Sequence, residues 1–209
     1  MTLPARARPL PRRFFARPTL LVARALLGCH LCHRIGRTVR RGRIVEVEAY
    51  TDDDASHSRG RRPTPRNAVM FGAAGHAYVY FTYGMHFCFN IVTETVATPG
   101  AVLIRGLDGI DGANGPARLC RALGLDARHN RLDLTAGNPL WVERGRLRDG
   151  EAVVQTTRVG IRVAVDLPWR FYILGSAGVS RRDRAAEAGL VLRPRPRRRI
   201  GRPSIPTAD

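Results

Sequence analysis

The chain has 209 residues and a formal net charge of +18, with 35 arginines, no lysine and 17 acidic residues. Its length favours one domain, and its charge favours a polyanionic partner, most often a nucleic acid. No apolar run reaches the length of a membrane span, no apolar signal core follows the N-terminus, and four cysteines do not suggest a disulfide scaffold. We therefore expect a cytoplasmic monomer that does not enter a membrane and that, in a bacterium, associates with the nucleoid.

Both ends of the chain are rich in arginine. Residues 1–13 combine proline with arginine, and residues 193–209 begin with RPRPRRRIGRP, so we expect two basic tails around a folded domain at residues 14–192. The C-terminal tail is expected to be disordered and to attract phosphates in a salt-sensitive way. Within the domain, residues 18–28 have the spacing of a short amphipathic helix that ends at Gly28.

A cysteine–histidine cluster follows the first helix. Cys29 and Cys32 form a CxxC pair, and His30 and His33 lie beside them, which resembles half of a zinc site. No second CxxC follows, and cysteine is also an ordinary small core residue of a strand. We therefore favour a strand at residues 29–34 and expect no metal site.

A second strand is predicted from RIVEVEAY at residues 43–50. Alternation places Glu46, Glu48 and Tyr50 on one face of this strand. Bound phosphates repel a carboxylate, so an acid in a nucleic-acid cleft needs a task such as the activation of a water. The alternative for each glutamate is a structural ion pair with an arginine, which is the commoner case for an isolated acid. Local spacing does not separate Glu46 from Glu48.

A long polar loop and a hairpin come next. Residues 51–68 are rich in proline and glycine, which is typical of a functional or disordered loop. Residues 78–83 and 86–94 are predicted to form the hairpin strands. In the second strand, alternation puts Phe87, Phe89 and Ile91 on one face, and His86, Cys88 and Asn90 on the other. Tyr83 falls at the turn, where its ring either enters a DNA base stack or folds back onto the sheet.

The second half of the chain adds one helix and further strands. The helix is predicted at residues 114–125, with Asn114 as its cap and Gly124 as its stop. Strands are predicted at residues 101–107, 151–165 and 169–174. Together these elements predict an α+β fold: a single domain with a curved, mainly antiparallel β-sheet, a protruding β-hairpin and peripheral helices.

Nine segments, taken in order, resemble the 3-methyladenine (alkyladenine) DNA glycosylase family of base-excision repair. They are RIVEVEAY, ASHSRG, TPRN, MFG, YVYFTYGMHFCFN, VLIRGL, NGPARLC, RVG and WRFYILGS. Each piece alone is a weak signal, but the ordered set extends over most of residues 14–184. The resemblance implies an enzyme that flips an alkylated or deaminated purine out of duplex DNA, hydrolyses its N-glycosidic bond and leaves an abasic site.

The resemblance also implies the residues of the reaction centre. Glu48 matches a general base that activates a water, and Arg105 matches an arginine that helps to hold this water. The backbone carbonyl of Val159 matches a third contact to the same water. A carboxylate there would also stabilise the positive charge that develops on the sugar. Because no lysine amine is present for a Schiff base, we expect a monofunctional glycosylase without AP lyase activity.

Residues around the flipped base and the DNA follow from the same resemblance. Tyr50, His57 and Tyr80 match the residues that sandwich the base, and their aromatic character would favour a cationic alkylated purine. Asn90 matches a residue that disfavours the 2-amino group of guanine, and Tyr83 matches the residue that fills the gap left by the nucleotide. Further DNA contacts are expected from Arg66, Met85 and His86, the last in place of the tyrosine usual in the family.

The predicted partner is therefore double-stranded DNA that contains damaged purines such as 3-methyladenine, 7-methylguanine, hypoxanthine or ethenoadenine. No cofactor is expected, because hydrolysis by this route needs only a positioned water. Composition alone would favour a non-catalytic basic nucleic-acid-binding protein, and a family member that binds lesions without cutting them is a third alternative. The ordered set of glutamate, tyrosine, histidine, asparagine and arginine residues favours the enzyme.

Overall fold

Eight β-strands form one antiparallel sheet at the centre of the computed structural model, which describes residues 8–52, 62–82 and 84–191. Within these ranges the strands are β1 (His30–Ile35), β2 (Thr38–Tyr50), β3 (Ala77–Thr82), β4 (His86–Val92), β5 (Ala101–Asp108), β6 (Leu140–Glu143), β7 (Val153–Thr156) and β8 (Arg170–Ile173). The helices are α1 (Arg12–Phe15), α2 (Thr19–Leu26), α3 (Pro116–Leu123) and α4 (Arg184–Val191), with short 3-10 turns at Ala68–Phe71 and Ala127–His129. The predicted single-domain α+β fold is confirmed.

Strand β2 organises the sheet because it is long enough to carry different partners along its length. Its first half pairs with β1, and its second half pairs with β8 from Glu46 to Glu48. Strand β5 pairs along the opposite edge. The sheet continues in the order β3-β4-β5-β2-β1-β6, and β7 adds to β8. A sheet that divides at one strand is curled, and Glu48 lies on the strand that both branches share.

The pairing between β2 and β5 is irregular around Glu46. The register shifts on both sides of the pair that Glu46 makes with Gly106, so that Val45 of β2 and Arg105 of β5 fall outside regular pairs. Bulges of this kind bend a strand and change the direction of a side chain. The bend lies beside both acids of the RIVEVEAY segment.

After β8 the chain crosses β5 at two glycines. A Cβ atom at Gly106 would overlap the carbonyl oxygen of Gly178, so a side chain at this position would force the two segments apart. The crossing is fixed by Asp108, whose carboxylate accepts the backbone N–H of Gly178 at 2.8 Å. This close approach brings Ser180 to Glu46 of β2.

The core lies on the apolar face of the sheet, under α2 and α3. Phe89 and Ile91 of β4 are fully buried there, as alternation predicts. Cys88 and Asn90 of the same strand instead line a cleft outside this core. The β3–β4 hairpin therefore presents one apolar face to the core and one mixed face to the cleft.

Helix α3 ends where it was predicted to end but begins differently. Gly124 follows it with φ of 70°, a left-handed conformation that favours glycine. Pro116 occupies the first turn, where its missing N–H breaks no helical hydrogen bond. The predicted cap is wrong, because Gly115 precedes the helix without a side-chain cap. Asn114 instead forms a backbone bridge to Gly106 of β5.

The strand predicted at residues 151–165 is wrong over most of its length. Strand β7 ends at Thr156, and residues 157–169 form an irregular loop. Gly160 and Ala164 have φ of 78° and 49° in this loop, whereas a strand requires negative φ. The alternating valine and isoleucine residues of this stretch line a cleft instead of extending the sheet.

The two ends of the described chain also differ from expectation. The segment predicted as an N-terminal tail lies against the sheet from Pro9 onwards: Leu10 is 2% exposed, its N–H bonds to the carbonyl oxygen of Val142, and Arg12 pairs with Asp133 at 2.6 Å. Helix α4 had no predicted counterpart. The predicted C-terminal tail at residues 193–209 lies outside the described residues. No helix in the described ranges is long and apolar enough to cross a membrane.

Candidate active site

Glu48 lies where β2 meets β5, β8 and the irregular loop, and it is fully buried. Its Oε1 accepts the backbone N–H of Val159 at 2.7 Å. Its Oε2 accepts the hydroxyl of Tyr50 at 2.9 Å and lies 3.2 Å from Nη1 of Arg105. One backbone amide, one phenol and one guanidinium therefore fix the orientation of this carboxylate.

Arg105 joins the two acids of β2. Its Nε lies 3.1 Å from Oε1 of Glu46, and its Nη1 lies 3.2 Å from Oε2 of Glu48. Its Nη2 donates to the hydroxyl of Ser180 at 3.2 Å. A guanidinium is planar and permanently charged, so contacts at all three nitrogens leave it little freedom to move.

Glu46 is a structural ion-pair residue. Its Oε1 lies 3.1 Å from Arg105 and 3.0 Å from Arg170, and its Oε2 accepts the N–H of Ser180 at 2.6 Å. The side chain is fully buried and does not line the cleft. The two acids that local spacing could not separate therefore differ in the kind of partner: Glu46 is held by two arginines and a backbone amide, whereas Glu48 is held by one arginine, a backbone amide and a phenol.

Burial raises the pKa of the Glu48 carboxyl above its usual value. Three partners lower this pKa and so reduce the increase: Arg105, the N–H of Val159 and the hydroxyl of Tyr50. The nearby charge of Glu46 raises it further. A carboxylate whose pKa is raised is a stronger base than an exposed one. Glu48 thus combines increased basicity with a fixed orientation.

Tyr50 separates Glu48 from the cleft. Its ring lies 4.8 Å from the guanidinium of Arg158, which also lies 5.1 Å from the ring of Trp169. Burial, followed by the charge of Glu48, raises the pKa of the Tyr50 phenol above its usual value. The phenol therefore keeps its proton and remains a hydrogen-bond donor to Glu48.

A cleft of about 440 Å³ opens beside Tyr50. This volume suits a small organic ligand. Its walls come from the face of β3–β5 that points away from the core, from the start of α3 and from the loop after β7. Glu48 does not reach the cleft surface, but its three partners Tyr50, Arg105 and Val159 all line it.

Two tyrosines of β3 form one wall of the cleft. The ring centroids of Tyr78 and Tyr80 are 5.2 Å apart, with an angle of 41° between their planes. The guanidinium of Arg66 lies 5.4 Å from the Tyr80 ring, and its Nη2 donates to the carbonyl of Phe81 at 3.2 Å. Burial raises the pKa of Tyr78 to about 12. Flat rings and a planar cation suit a flat ligand.

Asn90 lines the cleft from β4. Its side-chain amide donates to the carbonyl of Tyr78 at 3.0 Å, and the residue is 3% exposed. This hydrogen bond crosses the hairpin and fixes the amide at the cleft wall. Cys88 lines the cleft from the same face of the strand.

The structure brings most of the predicted site residues together. One set of contacts and its adjoining cleft contain Glu48, Tyr50, Tyr80, Asn90, Arg105 and Val159. Of the predicted DNA contacts, Arg66 lies against the ring of Tyr80. The other two lie on the hairpin: Met85 is 69% exposed at its turn, and His86 is partly buried at the start of β4. His57 and Tyr83 lie outside the described residues.

The loop after β7 is the part of the site that sequence reasoning missed, apart from Val159. Gly160, Ile161, Arg162 and Val163 line the cleft, and the guanidinium of Arg158 lies over the ring of Tyr50. One signal pointed to this loop, because a glycine within an alternating apolar run often marks an interruption of a strand.

The cysteine–histidine cluster does not form one polar centre. Cys29 and Cys32 are buried, and burial raises the pKa of Cys32 to about 12. His33 contacts the carbonyl oxygen of Leu123 through Nδ1 at 2.8 Å and Nε2 of His129 through its own Nε2 at 3.2 Å. Across the described ranges, no three His, Cys, Asp or Glu residues are grouped so as to hold a metal ion.

Comparison with known proteins gives a family match and close relatives. A family model described as methylpurine-DNA glycosylase (MPG) matches residues 13–177. A relative from Carboxydothermus hydrogenoformans is 43% identical over 189 residues, covering 83% of this chain and 99% of the relative. Relatives from Methanoculleus marisnigri and Anaeromyxobacter dehalogenans are 46% and 47% identical, covering 83% and 86% of this chain and 99% and 89% of the relatives. All three carry 3-methyladenine DNA glycosylase as a provisional name.

Proposed function

Because this chain belongs to the methylpurine-DNA glycosylase family, we propose that it is a monofunctional enzyme of base-excision repair. It flips alkylated or deaminated purines out of double-stranded DNA and hydrolyses their N-glycosidic bond with a water activated by Glu48. The product is an abasic site in an intact strand. The observation that carries this proposal is a buried glutamate whose three partners, Tyr50, Arg105 and Val159, all line a cleft that accommodates a flat ligand.

The oxygen of Glu48 that activates water is assigned by counting partners. Oε2 receives both the Tyr50 hydroxyl and Arg105, whereas Oε1 has the Val159 N–H as its single partner within the described ranges. A carboxylate oxygen accepts two hydrogen bonds, so Oε1 has capacity for the water. Proton transfer to a base of raised pKa assists attack of the water on C1′ of the sugar.

Glu48 has a second role as the glycosidic bond breaks. The sugar gains positive charge as the base leaves, and a fixed carboxylate in a buried site stabilises this charge more strongly than one in water. An acid is otherwise unfavourable in a protein that binds phosphates, and this developing cation gives Glu48 a reason to lie there. Arg105 keeps the acid oriented, and we assign it the further contact to the water that family resemblance implies.

The cleft supports recognition of a flipped purine. Tyr50 and Tyr80 line it, and Asn90 presents a fixed amide at its wall. Aromatic faces attract a cationic ring such as 3-methyladenine more strongly than a neutral base. We assign Asn90 to discrimination against the guanine 2-amino group, and His57 to the base sandwich together with the two tyrosines.

The β3–β4 hairpin is assigned to the DNA duplex. Tyr83 would occupy the space left by the flipped nucleotide, which offsets part of the few kcal/mol that flipping costs. Met85 is highly exposed at the turn, and an exposed apolar side chain there suits contact with unstacked bases. Arg66 and His86 would contribute the remaining contacts on either side of the turn.

Strand cleavage is not part of the proposed reaction. A glycosylase that also nicks DNA usually forms a Schiff base through an amine, and this chain contains no lysine. The proposal therefore predicts that borohydride traps no covalent complex with DNA. Recovery of a trapped complex would contradict the monofunctional assignment and leave the base-release assignment intact.

A single-lesion duplex tests the main proposal. The protein is incubated with duplex DNA that carries one hypoxanthine or ethenoadenine, and abasic sites are then cleaved with alkali. We expect a new band with the wild type and with Glu151→Gln, which alters a partly buried acid paired with Arg43, but not with Glu48→Gln. Tight lesion binding without a band would mean that the protein binds damage without excising it. Equal affinity for damaged and undamaged duplex, without a band, would leave a non-catalytic DNA-binding protein.

A further inference from the structure

A second cleft, of about 400 Å³, adjoins the first. Its charged lining consists of Arg158, Arg170, Arg181, Arg182, Arg184 and, as the one acid among the described residues, Asp183. We call it the arginine cleft. Val159 and Gly160 line both clefts, so the two meet at the backbone that donates a hydrogen bond to Glu48.

Part of the charge in the arginine cleft is already compensated. Nη1 of Arg170 lies 3.0 Å from Glu46, and Nη2 of Arg182 lies 2.7 Å from Glu187. Asp183 accepts the hydroxyl of Thr156 and the N–H of Ala186. The two ion pairs hold arginines in the walls of the cleft, and the two hydrogen bonds hold the carboxylate of Asp183.

Arg181 and Arg184 are different, because both are exposed and neither forms an ion pair within the described ranges. Arg184 is the first residue of α4, where the positive end of the helix dipole disfavours a cation. Several guanidinium groups lining one cleft also repel each other. Unpaired arginines placed close together reduce the stability of the folded protein, and such an arrangement is typical of a binding site for a negatively charged ligand.

We propose that the arginine cleft binds a backbone phosphodiester of the DNA strand whose damaged base enters the first cleft. This inference rests on the proposed function. A base and its neighbouring phosphates are joined through one sugar, and the two clefts are joined at Val159 and Gly160, so one strand reaches both. Guanidinium groups bind phosphate oxygens in a planar fork. Gly160 has no Cβ atom that would keep the sugar–phosphate backbone away from this junction.

The consequence is positioning of the sugar. A strand held by its base in one cleft and by a phosphate in the other has its C1′ atom restrained at the junction, beside the backbone that orients Glu48. Restraint of this kind raises the rate of the chemical step by alignment of the reacting groups. Arg181 and Arg184 are positioning residues in this scheme and do not touch the reacting atoms.

Neutral phosphate substitution tests the proposal on the whole protein. A set of lesion duplexes carries one uncharged methylphosphonate at successive positions around the lesion. Affinities are measured for the wild type, for Arg181→Ala/Arg184→Ala, and for Arg37→Ala/Arg148→Ala, which removes two exposed arginines outside both clefts. Thermal unfolding of all three proteins checks that each is folded.

One methylphosphonate position should weaken wild-type binding by about tenfold, as expected for the loss of a charge-assisted contact worth one decade of affinity. The methylphosphonate at that position should not weaken DNA binding by Arg181→Ala/Arg184→Ala, because this variant already lacks the phosphate contact. It should weaken binding by Arg37→Ala/Arg148→Ala as much as it weakens binding by the wild type. The slope of log K against log salt should fall by about 0.9 in the first variant, for one phosphate contact. The proposal would be overturned if the methylphosphonate and the Arg181→Ala/Arg184→Ala substitution weakened binding additively at every position. It would also be overturned if the two double variants responded identically to every methylphosphonate.

A competition experiment separates DNA from free phosphate as the source of the anion. If inorganic phosphate displaces the lesion duplex equally from the wild type and from Arg181→Ala/Arg184→Ala, the DNA assignment is supported. Displacement that requires both arginines, without any methylphosphonate effect, would show that the cleft takes free phosphate and overturn it. Base release is measured in parallel. If the wild type excises the base but no methylphosphonate effect depends on Arg181 and Arg184, the cleft assignment alone has failed. If the wild type excises no base, the proposed function has failed.

Discussion

The hydroxyl of Tyr50 donates a 2.9 Å hydrogen bond to Oε2 of Glu48, which lies two residues earlier on the same face of β2. Strand alternation alone thus brings a phenol to an acid, and Arg105 reaches the same oxygen from β5. A change at Tyr50 therefore alters the proton affinity of Glu48 even where the aromatic ring is retained.

Tyr50→Phe keeps the ring and removes this hydrogen bond. The hydroxyl lowers the pKa of Glu48, so its loss raises that pKa further above the usual value. Because Glu48 must be ionised to act as a base, the acid limb of kcat/KM against pH should move to higher pH. A hydrogen bond worth about 1.4 kcal/mol corresponds to a shift of about one unit. Single-turnover base release across the pH range measures this, and an unmoved limb would contradict Glu48 as the titrating group.

Glu48→Gln should gain stability relative to the wild type as the pH rises. The pKa of Glu48 is raised in the folded protein above its value in the unfolded chain. The stability that the Glu48 carboxyl contributes is therefore fully present below its pKa in the unfolded chain. This stability is lost as the pH rises through its pKa in the folded protein. Glutamine does not ionise, so we expect a relative gain of about 1 kcal/mol, the usual scale for removing a destabilising active-site group.

Calorimetric unfolding of both proteins at acid and alkaline pH measures that gain. Glu151→Gln serves as the comparison, because its carboxyl has a lowered pKa from its contact with Arg43 and should show the opposite trend. A stability difference between Glu48→Gln and the wild type that is the same at every pH would contradict the raised pKa of Glu48.

Gly160→Ala should reduce activity more than its effect on stability explains. Gly160 and Gly36 both have positive φ, 78° and 58°, and open space where a Cβ atom would lie. Alanine should therefore cost about 1 kcal/mol of stability at either position. Only Gly160 follows Val159, whose N–H orients Glu48, and a small displacement there should slow base release about tenfold or more.

Gly36→Ala, in the turn between β1 and β2, is the matched control for Gly160→Ala. Urea unfolding should show similar losses of stability for the two variants, and single-turnover rates should differ. Equal rates for both variants would mean that the backbone at Val159 does not position Glu48.

The buried side chain of His33 should reduce stability in acid. Nδ1 of His33 must carry a proton to donate to the Leu123 carbonyl, so its Nε2 accepts from His129. Burial lowers the pKa of His33, so the unfolded chain takes up a proton more readily than the folded one. Stability should be complete above pH 6.5, the ordinary value, and should fall as the pH decreases towards the folded pKa.

Urea unfolding at about pH 7 and about pH 5 measures the acid effect, across the window below the ordinary histidine pKa. The loss should be smaller in His33→Gln, whose amide does not titrate. The same acid loss in His33→Gln as in the wild type would place the titrating group elsewhere.

Alternation predicts much of the candidate site because a two-residue period has a direct geometric meaning in a strand. The shared face of Glu46, Glu48 and Tyr50 follows from it, as does the separation of Phe89 from Asn90 on β4. Alternation cannot rank the two acids. Their difference lies in partners from distant parts of the chain, Ser180 among them, which only the folded arrangement brings together.

The loop after β7 shows where pattern reasoning fails. Valine and isoleucine alternate at residues 159–165 as they do in a strand, and residues of this kind also suit the apolar wall of a cleft. The deciding feature is the positive φ of Gly160 and Ala164. A glycine permits that conformation without requiring it, so the interruption is visible in the sequence only as a weak signal.

The family match ends at residue 177, yet the contacts of Ser180 with Glu46 and Arg105 lie just beyond it. A protein shortened to the matched region would lose the amide that Oε2 of Glu46 accepts and the hydroxyl that holds Arg105. The carbonyl of Arg181, which Arg170 contacts at 2.6 Å, would be lost as well. The boundary of the family match therefore differs from the boundary of the contacts that support the site, and a minimal working fragment has to include those contacts.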